Sequence, residues 1–279
     1  MKHLILSAIM VSGLAIASAP KAFSQQDSVT TVKTTTTTTT TTKRGSKFSL
    51  TLGVSDDEKS KNDSTKLANA NKGRFVGGIT FTRFDLGFSK LIDNGNFTLS
   101  PTNDFLDYKA TKTSTISFDV LQIGYRFNRN FKIYVAGGFD WTLIRLKKDI
   151  TIQKNSPVLT YVNEDIHFSK NRFSSSYVHI PLNFELRTKE NDNGKRFYFV
   201  IGPEVGFLLN GKLKQVSDER GKEKFKDDYN FEPFRYGGTV RIGYGGLGIF
   251  TKYYANDMFA SSPQKGIKNL AFGITLGLN

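Results

Sequence analysis

SSSYVHIPLNFELR at residues 174–187 and RFYFVIGPEVGFLL at 196–209 decide the fold of this chain, because both alternate in polarity. In the first, Val178, Ile180, Leu182, Phe184 and Leu186 share one face, opposed by Tyr177, His179, Asn183, Glu185 and Arg187. In the second, Phe197, Phe199, Ile201, Val205, Phe207 and Leu209 oppose Tyr198, Gly202, Glu204 and Gly206. A period of two in aromatic and branched residues means β-strand. KENDNG at 189–194 is turn chemistry, so the two strands form a hairpin. Each runs about 14 residues, where the strands of soluble sheets usually run about five or six. Phe and Leu on one side, with charge and glycine on the other, suit a wall between lipid and a polar lumen.

The rest of the chain repeats this hairpin. From Arg74 onward eight alternating segments can be read, at about 74–91, 113–127, 131–147, 174–188, 196–213, 233–244, 247–256 and 268–279. Short connections (128–130, 189–195, 245–246) alternate with long polar ones (93–112, 148–173, 214–232, 257–267). An even number of long strands, with short turns at one rim and long loops at the other, predicts an all-β fold. Specifically, it predicts an eight-stranded antiparallel up-and-down transmembrane β-barrel. Two strands change phase, near Arg83 and between Val120 and Leu121, and a β-bulge at each is the simplest account. No stretch after residue 25 has the roughly 20 apolar residues of a spanning helix.

Ahead of the barrel, residues 1–24 read as a signal peptide: basic at Lys2 and His3, apolar from Leu4 to Ala17, with a small-x-small site at Ala22–Ser24. Residues 25–45 hold a threonine tract without an apolar face, which predicts a disordered linker. Residues 46–73 form a pre-barrel segment, a short strand-like piece followed by a charged loop, and 74–279 the barrel. The triplets Asp27-Ser28-Val29 and Asp63-Ser64-Thr65 resemble an O-glycosylation acceptor pattern, though a solvated linker explains them as simply. With no cysteine, an exported chain is held by strand pairing and burial alone. The net charge of +14 would suggest nucleic acid for a cytoplasmic protein. Here the cations read as spread over loops and strand ends rather than gathered on one face. An anionic lipid surface, lipopolysaccharide included, is therefore the expected partner, with another envelope protein as a second and no nucleic acid.

Several blocks carry a family resemblance: Gly77-Gly78-Ile79, Phe84-Asp85-Leu86-Gly87-Phe88, Phe97-Thr98-Leu99-Ser100-Pro101 and Phe105-Leu106-Asp107. Further downstream come Tyr177–Leu182, Lys195–Phe199 with Gly202, and Phe234–Gly237 with Arg241–Tyr244. As a set, over residues 74–279, they resemble the outer membrane beta-barrel, or PorT-like, family of Bacteroidota. The resemblance implies fold and outer-membrane location, and no activity.

The face assignment sends Lys132, Asp140, His179, Glu185, Arg187, Glu204, Arg235, Arg241 and Lys252 into the lumen. An eight-stranded barrel is just wide enough for side chains to fill, so these groups are expected to pair into a salt-bridged interior. A lumen lined for narrow conduction is the alternative. A second alternative is a lipid-modifying enzyme built on Ser and His, since His179 lies near Ser174–Ser176. Spacing along one strand does not supply such a set, and no catalytic, cofactor or metal residue is assigned. Gly237-Gly238 and Gly243–Gly248 sit in strand and turn, not ahead of a helix, which argues against a phosphate cradle. The long loops, with aromatic residues at Asp104–Tyr108, Tyr161–Phe168, Phe225–Phe231, Met258 and Phe259, are where recognition of a partner is expected. A soluble ligand-binding barrel is the competing architecture, and it would have to hide the Phe and Leu faces from water.

Overall fold

Eleven strands form among the described residues, eight of them closing one antiparallel ring. They are β1 (Arg74–Asp93), β2 (Ser114–Arg126), β3 (Phe131–Arg145), β4 (Ile150–Ile152), β5 (Tyr161–Asn163) and β6 (Lys170–Arg187). β7 (Phe197–Ser217), β8 (Gly221–Asp227), β9 (Phe234–Tyr244), β10 (Leu247–Tyr254) and β11 (Ile267–Gly277) follow. The ring runs β1-β2-β3-β6-β7-β9-β10-β11, and β11 pairs back onto β1 from Arg83↔Gly277 to Asp93↔Ile267. The structure, a computed structural model, describes residues 73–277. The predicted signal peptide, the threonine linker, the pre-barrel segment up to residue 72 and the last two residues lie outside the described residues.

The expected eight strands, short turns and long loops are all present, within a few residues of the boundaries read from the sequence. Both expected bulges appear as register breaks, between Ile79 and Arg83 on β1 and between Asp119 and Leu121 across β2 and β3. A third, between Ser176 and Tyr177 where β6 meets β7, has no counterpart in the sequence reading. Outward positions such as Phe75, Ile123, Val135, Leu186, Phe197, Ile201, Ile249 and Ile274 are exposed, and polar positions between them are buried. That is the inverse of a soluble barrel and leaves an apolar belt suited to lipid.

At the long-loop rim the molecule departs from the expectation of polar surface loops. β6 and β7 run past the belt, β8 adds a strand to the end of β7, and β4 pairs with β5 as a separate hairpin. These pieces enclose a second core of Leu91, Phe105, Leu106, Ile144, Leu146, Ile150, Ile152, Leu159, Phe173, Leu213, Tyr229, Phe231, Met258, Phe259 and Ile267. Phe173 stacks on Phe231 at 4.8 Å between ring centroids, and Phe231 on Phe259 at 5.0 Å. Gly211 leaves the space they need: a Cβ there would come within 2.8 Å of the Tyr229 ring and 3.0 Å of the Phe231 ring. The loop residues Phe105, Leu106, Phe168, Tyr229, Phe231, Met258 and Phe259, expected on the surface for recognition, are instead buried. Loops this long, standing in water, hold a fixed shape only by burying apolar area of their own.

Candidate functional site

Two regions carry the candidate chemistry: the polar lumen and the surface of the loop cap. In the lumen, strand alternation aims one side chain in two inward, and the bulges at Arg83 and Leu121 reset which parity faces in. The deepest cluster centres on Asp140 of β3 and Glu204 of β7. Lys252 Nζ lies 3.4 Å from Asp140 and 3.0 Å from Glu204, and Arg235 Nη2 lies 3.4 Å from Asp140. The Tyr254 hydroxyl stands 2.5 Å from Asp140 and 2.7 Å from Glu204, bridging the two carboxylates. The guanidinium of Arg235 is held between the Tyr177 and Tyr254 rings, 3.4 and 3.9 Å from their centroids.

His179 is fully enclosed beside this cluster. Its Nδ1 faces Glu204 at 3.3 Å and its Nε2 faces Asp119 at 3.0 Å. A carboxylate thus faces each ring nitrogen, and the imidazole sits between the two acids. Gly138, opposite His179 on β3, makes this possible, since a Cβ there would collide with the Phe118 carbonyl and sit 2.7 Å from Nε2. A separate pair follows toward the short-turn rim: Asp85 accepts from Arg241 Nη2 at 2.7 Å and from Nε at 3.2 Å. At that rim Glu185 takes Lys132 at 3.3 Å, Arg83 at 4.0 Å and the Nε of Arg187. The Lys132 ammonium also lies 4.1 Å over the Tyr134 ring.

All nine residues predicted for the lumen are thus on interior positions, and every one is paired with a partner of opposite charge. Arg187, at the rim, is the one that reaches solvent, with 28% of its side chain exposed. Sequence reading missed Asp85 and Asp119, the acids that pair Arg241 and His179. Both lie on the two phase-breaking strands, and counting from their apolar neighbours Leu86 and Phe118, on the same side of each bulge, turns both inward. The serines near His179 make no hydrogen bond to it: Ser174 Oγ donates to the Lys212 carbonyl at 3.1 Å, Ser176 points outward, and Ser175, two inward positions along β6 from the imidazole, has its Oγ buried without a partner. Three or more potential metal ligands do not converge anywhere among the described residues.

The cap meets the lumen where the Tyr177 hydroxyl donates to the Glu232 carbonyl at 2.8 Å. Its outer surface presents Val158, Tyr161 and Val162 of the β4–β5 hairpin, the last 52% exposed, with Tyr161 stacked on buried Phe105 at 4.6 Å. Beside it a cleft of about 340 Å³ opens among Lys90, Phe97, Leu99, Asp104 and Tyr108. The other loop imidazole, His167, is exposed and meets Asp149 at 2.9 Å.

A closed ring of eight tilted strands, apolar outside and ion-paired inside, defines an integral outer-membrane β-barrel. The chain belongs to the outer membrane protein beta-barrel domain family, whose model matches residues 23–258. No curated protein matches it.

Proposed function

We propose that this barrel is a non-catalytic platform, of the PorT-like kind found in Bacteroidota, that displays its capped loops to a partner at the cell surface. The observation that carries the reading is the cap: long loops folded around their own core hold Tyr161 and Val162 outward on a rigid base. Rigid presentation of exposed apolar side chains is what a docking surface needs, because little ordering entropy is left to lose on binding. The lumen supports the same reading. Both nitrogens of His179 already face carboxylates, so neither is placed to take a proton from a serine hydroxyl. Ion pairs fill the interior, and the Phe173–Phe231–Phe259 stack lies over them.

The test is site-specific photo-crosslinking in cells. A crosslinker at Val162 should give a discrete adduct with an envelope component, and one at Asp192 on a short turn should not. Adduct formation should fall with Tyr161→Ser, while the folded barrel still migrates faster on gels before boiling than after. Altered lipid A acylation that depends on His179, tested with H179Q in a barrel that keeps its heat shift, would replace this reading with the enzymatic one.

A further inference from the structure

Six cations of this chain, dispersed in the sequence, gather on one outward face when the strands pair. Arg145 of β3 lies opposite Arg172 of β6, Arg172 opposite Lys214 of β7, and Lys214 opposite Lys224 of β8. One pair nearer the belt, Lys212 lies opposite Lys226. This corrects the expectation that no face concentrates the charge; register, which the sequence does not print, is what aligns them. Directly opposed side chains on a sheet stand about 5 Å apart, and like charges there repel. None of the six makes a salt bridge among the described residues. The acids of β8, Glu223 and Asp227, sit at the inward positions opposite Gln215 and Gly211. Arg172 Nε is buried with no hydrogen-bond partner. Four like charges in a row with an orphaned donor are an arrangement that an anion would stabilise.

The position of the row identifies the anion. On β6, Leu186 to Ser176 spans about 33 Å of strand, or about 25 Å along the normal at the usual tilt, the height of an apolar band. Arg172 lies two outward positions beyond Ser176, on the long-loop side, which in such barrels faces outward from the cell. Directly below Arg145 on the same face of β3 come Leu143, Trp141 and Phe139, with Trp141 and Phe139 stacked at 5.9 Å. Below the β7 cations come Leu209 and Phe207, both exposed. A soluble anion would use the charge alone; a molecule with acyl chains and a phosphorylated head uses the charge and the belt together. The geometry points to a binding site for the phosphorylated glycolipid of the outer leaflet, its phosphates on the Arg145–Arg172–Lys214–Lys224 row and its chains along Trp141, Leu143 and Leu209. This rests on the barrel's place in the outer membrane and is independent of what the loop cap binds.

Trp141 is the single tryptophan of the chain and reports on the site directly. Full-length protein folded in zwitterionic micelles is titrated with bis-phosphorylated lipid A, with its dephosphorylated form and with inorganic phosphate, and Trp141 emission is followed. Bis-phosphorylated lipid A should give a saturable change; the dephosphorylated lipid should bind about tenfold more weakly or worse, and inorganic phosphate should not compete at matched concentration. The R172E/K214E variant, and R172Q/K214Q should the reversal fail to fold, should lose about tenfold in affinity, while K189E/K195E at the opposite rim should not. Equal binding of both lipids, or unchanged affinity in a heat-shifting R172Q/K214Q barrel, would sink the glycolipid site and leave the barrel standing. Saturation by inorganic phosphate alone would overturn it in favour of a simple anion site. Loss of the heat shift in the unaltered protein would instead remove the membrane assignment on which the site depends.

Discussion

Within the membrane band and above it, the same strands carry opposite side chains on the same faces. Along β3 the inward positions run Lys132, Tyr134, Asp140 and Thr142, then change to Ile144 and Leu146. Along β6 they run Glu185, Asn183, His179 and Ser175, then Phe173. The outward positions change the other way, from Phe139, Trp141 and Leu143 to Arg145, and from Leu182 and Ile180 to Arg172 and Lys170. One rule covers both halves: apolar surface goes wherever water is not, outward against lipid in the band and inward against itself above it. The barrel is therefore two stacked bodies on one set of strands, a lumen held by ion pairs and a cap held by the hydrophobic effect.

The two kinds of cohesion fail differently, and the largest effect is expected in the lumen. Asp140 is shared by Arg235, Lys252, Tyr254 and, at 3.4 Å, the Thr115 hydroxyl. Asp140→Ala leaves two buried cations short of their counter-charge, and removing one partner of such a set costs about 3–5 kcal/mol. Urea unfolding in micelles, read by the gel shift, should show that drop in the barrel itself. A loss under about 1 kcal/mol would mean that water solvates Arg235 and Lys252, and the packed-lumen half of the comparison would fail.

In the cap, Phe173→Ala opens a cavity beneath Phe231 and Phe259 and removes an edge contact with Tyr229 at 5.4 Å. The local cost should be about 3 kcal/mol, in the range of buried Phe deletions. It should appear as protease cleavage within residues 218–233, with the heat shift of the barrel kept. If Phe173→Ala lowers the barrel midpoint as far as Asp140→Ala does, the two bodies unfold as one unit and the comparison must be redrawn.

How much of this is legible in the sequence follows from the same contrast. Within the band the period of two is uninterrupted by competing demands, so β3, β6, β7, β9 and β11 announce both their faces and their lumen residues. Asp85 and Asp119 were hidden because a bulge on each strand inserts a residue and reverses parity, so neither strand shows one face over its whole length. The cap was hidden for a different reason. Phe105, Tyr229, Phe231 and Phe259 stand among Asp, Asn and Lys with no period, and only the convergence of four separate loops gives them a shared core. The cationic row was hidden because Arg145, Arg172, Lys214 and Lys224 are neighbours through register alone, across strands far apart in the chain.

The smallest expected effect separates the cap from the lumen by pH. Asp149 closes the entry to the β4–β5 hairpin, its Oδ1 accepting from the Phe168 amide at 2.9 Å and its Oδ2 meeting His167 Nδ1 at 2.9 Å. Burial pushes its carboxyl up, but the Phe168 amide and the His167 ring outweigh that and hold it below the ordinary value of 3.8. A carboxylate depressed by folding contributes its full stabilisation above its unfolded value and loses it as pH falls through the folded one. The cap should therefore hold unchanged down to about pH 4 and loosen only below it. The pair is partly solvated, so the contribution is about 1 kcal/mol or less. Amide exchange at Phe168, compared between pH 5 and pH 3, should speed up once the intrinsic acid dependence is removed, and Asp149→Asn should already be fast at pH 5. A Phe168 amide equally protected at both values, or in the variant, would show that the apolar core alone holds the hairpin down and that Asp149 is only its solvated edge.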